Sequence, residues 1–158
     1  MSKLSVLITQ QESKKIIHIE GVLDEDFLFA KYPLNDASEL EFFLGKVKKI
    51  NSCGIREWIK WLNTVKGVKA RLYECPKLIV DQINMVHGFM PENCTMESFY
   101  VPYFNEASGA EKIVLFSRGK EYTDGELHFP TDIKDEKGEA MEMDVIESKY
   151  FRFLKKKP

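Results

Sequence analysis

Apolar and polar residues alternate along "LSVLITQQ" and again along "KIIHIEGVL", with a polar break from Gln11 to Lys14 between them. Alternation with a period of two marks a strand buried on one face, so the chain is read as opening with a hairpin. His18 lies between Ile17 and Ile19 and is an outward-facing strand residue in this reading, not a base. In "DEDFLFAKYPLNDAS", Pro33 and the Asn-Asp-Ala-Ser cluster limit any helix to about two turns. "ELEFFLGKV" is then a third strand, with Leu40, Phe42 and Leu44 on one side.

The period changes at Ile55. Ile55, Trp58, Ile59, Leu62 and Val65 recur at the spacing of an amphipathic helix, with Trp61 at the edge of the stripe and a glycine stop at Gly67. "VKARLYE" is a fourth strand. "CPKLIVDQINMVHG" is a second helix, with Pro76 in its first turn, Ile79, Ile83 and Val86 on one face and Gly88 at its end. "TMESFYVPYF" is a fifth strand, which Pro102 confines to an edge or an end. This order predicts the α/β class: a mixed β-sheet covered by helices on at least one face, filling residues 1–104.

Residues 105–158 read as a C-terminal extension. "EKIVLFSRGKEY" is a strand and turn. Residues 118–144 hold nine acidic and four basic side chains, which suits an exposed loop. "AMEMDVIESKYFRFL" regains periodicity, and Tyr150, Phe151, Phe153 and Leu154 need something to pack against. Lys155 to Lys157 read as a solubilising tail.

Composition narrows the function classes. A chain of 158 residues with 44% hydrophobic and 30% charged residues can bury a core of its own. A net charge of −2 supplies no field for nucleic acid or an anionic membrane, so neither is expected as a partner. With no membrane-length apolar run and no signal-peptide pattern, a cytoplasmic location is the default expectation. Cys53, Cys75 and Cys94 form no CxxC pair and read as reduced, mostly buried thiols; no metal and no cofactor is expected. His18, His87 and His128 are scattered, and no nucleophile, base and orienting group stand together in the sequence, so the chain is read as a non-enzyme.

The turn Asn51-Ser52-Cys53-Gly54 joins a strand directly to the tryptophan-bearing helix. Ser52 either caps that helix or presents its hydroxyl for modification at the helix's positive end; the cap is preferred. With its surroundings this turn resembles the STAS domain of bacterial anti-sigma-factor antagonists. Gly21-Val22-Leu23-Asp24 is similar to the family's Gly-Glu-Leu-Asp. Ile50-Asn51-Ser52-Cys53-Gly54-Ile55 is similar to its Ile-Asp-Ser-Ser-Gly-Leu loop, and the helix and the strand-Pro-helix-Gly unit follow in family order. The resemblance implies a STAS-like fold and a regulatory module that binds a protein partner, an anti-sigma factor or a switch kinase. It also places Ser52 at the position that the partner kinase phosphorylates to break the complex. Asn51 stands where the family has aspartate, and Cys53 replaces its second serine, which implies a lost or altered switch with constitutive binding. Asp24, Asn51, Ser52, Cys53, Gly54 and Trp61 are the candidate partner-binding residues. A homodimer remains open, as does the alternative of a small-ligand- or nucleotide-sensing STAS-like domain, although no phosphate-binding glycine motif is present.

A second resemblance lies in the extension. Asn105-Glu106-Ala107-Ser108-Gly109 and Lys134-Asp135-Glu136-Lys137-Gly138 are similar to two Cys-x-x-Cys-Gly knuckles of a zinc ribbon that has lost its four cysteines. It implies a ribbon-like β-hairpin extension that holds without metal.

Overall fold

The computed structural model describes residues 4–123 and 125–155; Lys156 and Lys157 of the basic tail lie outside the described residues. The alternating segments form β1 (Ser5–Gln11) and β2 (Lys14–Leu23), an antiparallel hairpin whose turn holds Glu12 in the left-handed region at φ 57°. A single 3-10 turn at Phe29–Lys31 leads to β3 (Glu39–Ile50), which lies parallel to β2. Helix α1 (Ser52–Asn63) and β4 (Lys69–Tyr73), then α2 (Lys77–Met85) and β5 (Cys94–Met96), complete a five-stranded sheet in the order β1-β2-β3-β4-β5. Only the β1–β2 pair is antiparallel, so the sheet is mixed and the fold is α/β.

Register fixes which face is core. Ile17, Phe42 and Leu72 lie side by side on β2, β3 and β4, and all three are fully buried. Trp58 and Trp61 of α1 pack edge-on against Phe42, with centroids 5.3 and 5.5 Å away. Both helical crossovers step in the same direction across the sheet, and right-handed connections place both helices on this face. The opposite face carries half-buried and exposed side chains.

The chain changes sheet at Glu97, ahead of the expected division at residue 104. The segment read as one fifth strand is two: β5 stays in the first sheet, and β6 (Ser98–Phe104) opens a second, three-stranded sheet with β7 (Glu111–Ser117) and β10 (Glu142–Met143) in the order β10-β6-β7. β6 is therefore central, which corrects the edge placement inferred from Pro102. The missing N–H causes no loss, because β10 pairs only with Tyr103 and Phe104, and Pro102 contributes just its carbonyl, to the Asp144 amide at 2.8 Å. The described residues of 118–144, which exclude Asp124, likewise hold more regular structure than the loop expected from their charge. They contain the short hairpin β8 (Tyr122–Thr123) and β9 (Glu126–Leu127), anchored by buried Tyr122, whose hydroxyl donates to the Met96 carbonyl at 2.6 Å.

The two sheets share one core. Phe99 packs against Phe116, Tyr122, Tyr150 and Phe151, so the last aromatic residues of the chain are built into the body. Helix α3 (Glu147–Tyr150) is held to α2 through Asn84, whose amide donates to the Tyr150 carbonyl at 2.9 Å and accepts from the Phe153 amide at 3.0 Å.

The turns at residues 105–109 and 134–138 face each other. Asn105 is buried, and its Nδ2 donates to Asp135 Oδ2 at 3.0 Å and to Glu139 Oε2 at 3.3 Å. Gly109 and Gly138 hold φ near 76° and 80°, the left-handed values that let each turn fold back. Among the described residues no group of three His, Cys, Asp or Glu side chains could hold a metal ion, and no helix is long and apolar enough to cross a membrane.

Candidate functional site

The candidate residues lie at the carboxyl ends of β2 and β3, where the loops of an open parallel sheet gather. Asn51 leaves β3 in an extended conformation (φ −115°, ψ −177°), with its amide bonded to the Leu23 carbonyl at 3.1 Å. Its Oδ1 accepts from the Gly54 amide at 3.0 Å and its carbonyl from the Ile55 amide at 2.9 Å. Asn51 is therefore the N-cap of α1. This corrects the assignment of the cap to Ser52, which is instead the first helical residue. The reason lies in β3: its pairing with β2 ends at Leu23 and Ile50, and the Asn51 amide closes on the Leu23 carbonyl, so the extended backbone stops at Asn51, one residue before a Ser52 cap would require.

Relieved of capping, the Ser52 hydroxyl is exposed and has no hydrogen-bond partner among the described residues. The backbone amides of Ser52 and Cys53 also lack an acceptor there, as expected for the first turn of a helix. Cys53 is half-buried, and its sulfur accepts from Arg56 Nη2 at 3.3 Å.

Asp24 Oδ1 accepts from the Asp26 amide at 2.9 Å, and the Phe27 amide bonds back to the Asp24 carbonyl at 3.0 Å. This tight turn points the next residue at the site. Glu25 Oε2 accepts from Asn51 Nδ2 at 3.1 Å; the acid cluster Asp24-Glu25-Asp26 reads from sequence as solvated strand-end carboxylates, and Glu25 is not among the candidate partner-binding residues there. Its carboxyl is held below its ordinary range, first by a backbone hydrogen bond and then by the Asn51 amide. The usable sequence signal was the run of three acids at 24–26 directly after a strand.

Gly54 and Trp61 do not belong to the exposed surface, and their assignment as contact residues is corrected. A Cβ on Gly54 would stand 2.0 Å from the Leu23 carbonyl oxygen, so the absence of a side chain is what lets α1 close on β2. Trp61 is 1% exposed, T-stacked on Phe27 at 5.4 Å, with its indole N–H donating to the Tyr32 carbonyl at 2.7 Å. Segment 27–32 covers the helix edge that periodicity alone leaves at the surface. The structure thus gathers Asp24, Glu25, Asn51, Ser52 and Cys53 on one acidic rim.

No family model matches the chain, and no curated protein matches it in sequence. Among solved structures, it is similar to the crystal structure of an anti-sigma factor antagonist from Mycobacterium paratuberculosis. The two are 12% identical with a TM-score of 0.44, over 52% of this chain and 77% of that one.

Proposed function

We propose that the protein is a non-catalytic, STAS-like regulatory module that binds a protein partner, of the anti-sigma-factor or switch-kinase type, through the rim at Asp24, Glu25, Asn51, Ser52 and Cys53. The observation that carries this reading is the exposed Ser52 hydroxyl on the first turn of α1, freed from capping by Asn51. A phosphate there would find the unpaired amides of Ser52 and Cys53 and the positive end of the helix, so the fold would tolerate it. It would also add bulk and nearly two negative charges at the point where the partner packs, beside Glu25 and Asp24, and so displace a surface fitted to the bare hydroxyl. Asn51 keeps the cap but brings no charge of its own, which favours constitutive binding until Ser52 is modified. In the extension, Asn105, Asp135 and Glu139 take the place of a metal as the link between two ribbon-like turns.

The test compares Ser52→Ala with Ser52→Asp in a partner-binding assay. Alanine should bind as the wild type does, and aspartate should weaken binding about tenfold or more with an unchanged fold, the scale of one uncompensated charge in an interface. If both bind equally, the docking surface lies elsewhere.

A further inference from the structure

The sheet face opposite the helices carries a row of side chains that the rim does not use. Register places Leu7, His18, Phe43 and Tyr73 next to one another on β1 to β4. His18 and Phe43 stack at 4.7 Å and 12°, and Phe43 and Tyr73 at 4.6 Å and 9°. Rings stacked this way cover one another's faces and turn their edges to solvent. A platform for nucleobases needs open faces, whereas ring edges, which are electropositive, attract the face of an arene laid across them.

Next to this row Gly45 lines a concavity of about 330 Å³ together with Leu7, His18, Phe43, Glu20, Lys46 and Glu74. Glu74 sits at φ 56°, in the left-handed region that a glutamate rarely adopts, with its amide donating to Ser98 Oγ at 2.8 Å. That backbone folds its side chain over Gly45: a Cβ there would be 3.1 Å from Glu74 Oε1 and 3.2 Å from its Cβ. Among the described residues no hydrogen-bond donor or cation pairs with the Glu74 or the Glu20 carboxylate, and no acceptor or anion pairs with the Lys46 ammonium, which stands opposite Glu20 in register. Among the described residues that line the concavity, two carboxylates face one ammonium.

We propose that this concavity binds a small arylalkylammonium compound. Its charged nitrogen pairs with Glu74 and Glu20, and its ring lies across the edges of His18 and Phe43 beside Leu7. The unpaired carboxylates disfavour phosphate, so a nucleotide does not suit this site. The proposal is independent of the rim at Ser52, and its outcome does not bear on partner binding there.

The test is an amide-resolved NMR titration of the full chain with 2-phenylethylamine, with 2-phenylethanol and phenylacetate as its neutral and anionic counterparts. The amine should produce saturable shifts at His18, Gly45 and Glu74. The alcohol should bind about tenfold more weakly, as loss of a charge-assisted hydrogen bond implies, and phenylacetate should not bind. Glu74→Gln should weaken the amine about tenfold and leave the alcohol unchanged, and because no partner in the fold depends on that carboxylate, the variant stays folded. Absence of amine binding, shifts centred elsewhere, equal affinity for amine and alcohol, or undiminished amine binding by Glu74→Gln would each overturn the proposal.

Discussion

Gly54 rests on the carbonyl of Leu23: a methyl group added at Gly54 would lie 2.0 Å from that oxygen and 2.5 Å from its carbon. The obstacle is backbone already committed to the Asn51 amide, so it cannot move without opening the β2–α1 junction. Gly54→Ala should therefore destabilise by at least about 2 kcal/mol despite alanine's better helix propensity, which contributes only about 1 kcal/mol the other way. Denaturant unfolding measures it, and a neutral or stabilising result would show that the close approach is absent in solution.

The cap assignment separates two adjacent residues. Asn51→Ala removes the acceptor for the Gly54 amide and the donor to Glu25, and should cost about 1 kcal/mol. Ser52→Ala removes an exposed hydroxyl with no partner and should stay within about 0.5 kcal/mol of the wild type. Equal losses in the two variants, read from chemical denaturation, would return part of the cap to Ser52.

The contrast between these residues shows how much the sequence could tell. The strand-to-helix turn, the stripe of α1 and the buried positions Leu40, Phe42 and Leu44 are all periodic signals and are found where the pattern puts them. Asparagine and serine are both good caps, and the choice depends on where β3 stops, which the Asn51–Leu23 hydrogen bond decides. Trp61 is buried by Phe27 and Tyr32, residues outside its own helix that no helical wheel contains. The strands β8, β9 and β10 have two residues each, too few for any period to register. Glu74 is legible only through its φ.

Asp135 gives the clasp between the turns at residues 105–109 and 134–138 a pH dependence. Its carboxyl is held below its ordinary value of 3.8, first by the Glu139 amide, then by the Asn105 side chain and the Lys137 amide. A depressed folded pKa means that the contribution is complete above the unfolded value and is lost as pH falls through the folded one. The melting temperature of the wild type should thus exceed that of Asp135→Ala by a constant margin above about pH 5, and the gap should narrow below about pH 4. Glu139, Lys137 and Lys112 also surround the clasp, so Asn105→Ala serves as a second probe that removes the bridge without changing charge. A gap that does not depend on pH would mean that the Asp135 carboxylate is not what ties the turns together.

The last turn of the chain tests whether the extension and the first sheet are one folding unit. Tyr150 and Phe151 are 3% and 1% exposed, packed on Phe99 and, for Phe151, on Phe116 as well. Burial of a large apolar side chain contributes about 1.5–3 kcal/mol, so deleting residues 149–158 should remove at least about 3 kcal/mol and lower the melting temperature by about 10 °C. The loss would come from both sheets, since Phe99 belongs to β6 and the Tyr150 carbonyl is held by Asn84 of α2. Asn84→Ala isolates that second link: it strips the Tyr150 carbonyl and the Phe153 amide of their partner and should cost about 1–3 kcal/mol with the chain at full length. If the two sheets form one cooperative unit, both variants should still unfold in a single transition seen alike by near-ultraviolet and far-ultraviolet circular dichroism. Two separated transitions, or an unchanged melting curve for the truncation, would instead make the C-terminal sheet an independent appendage.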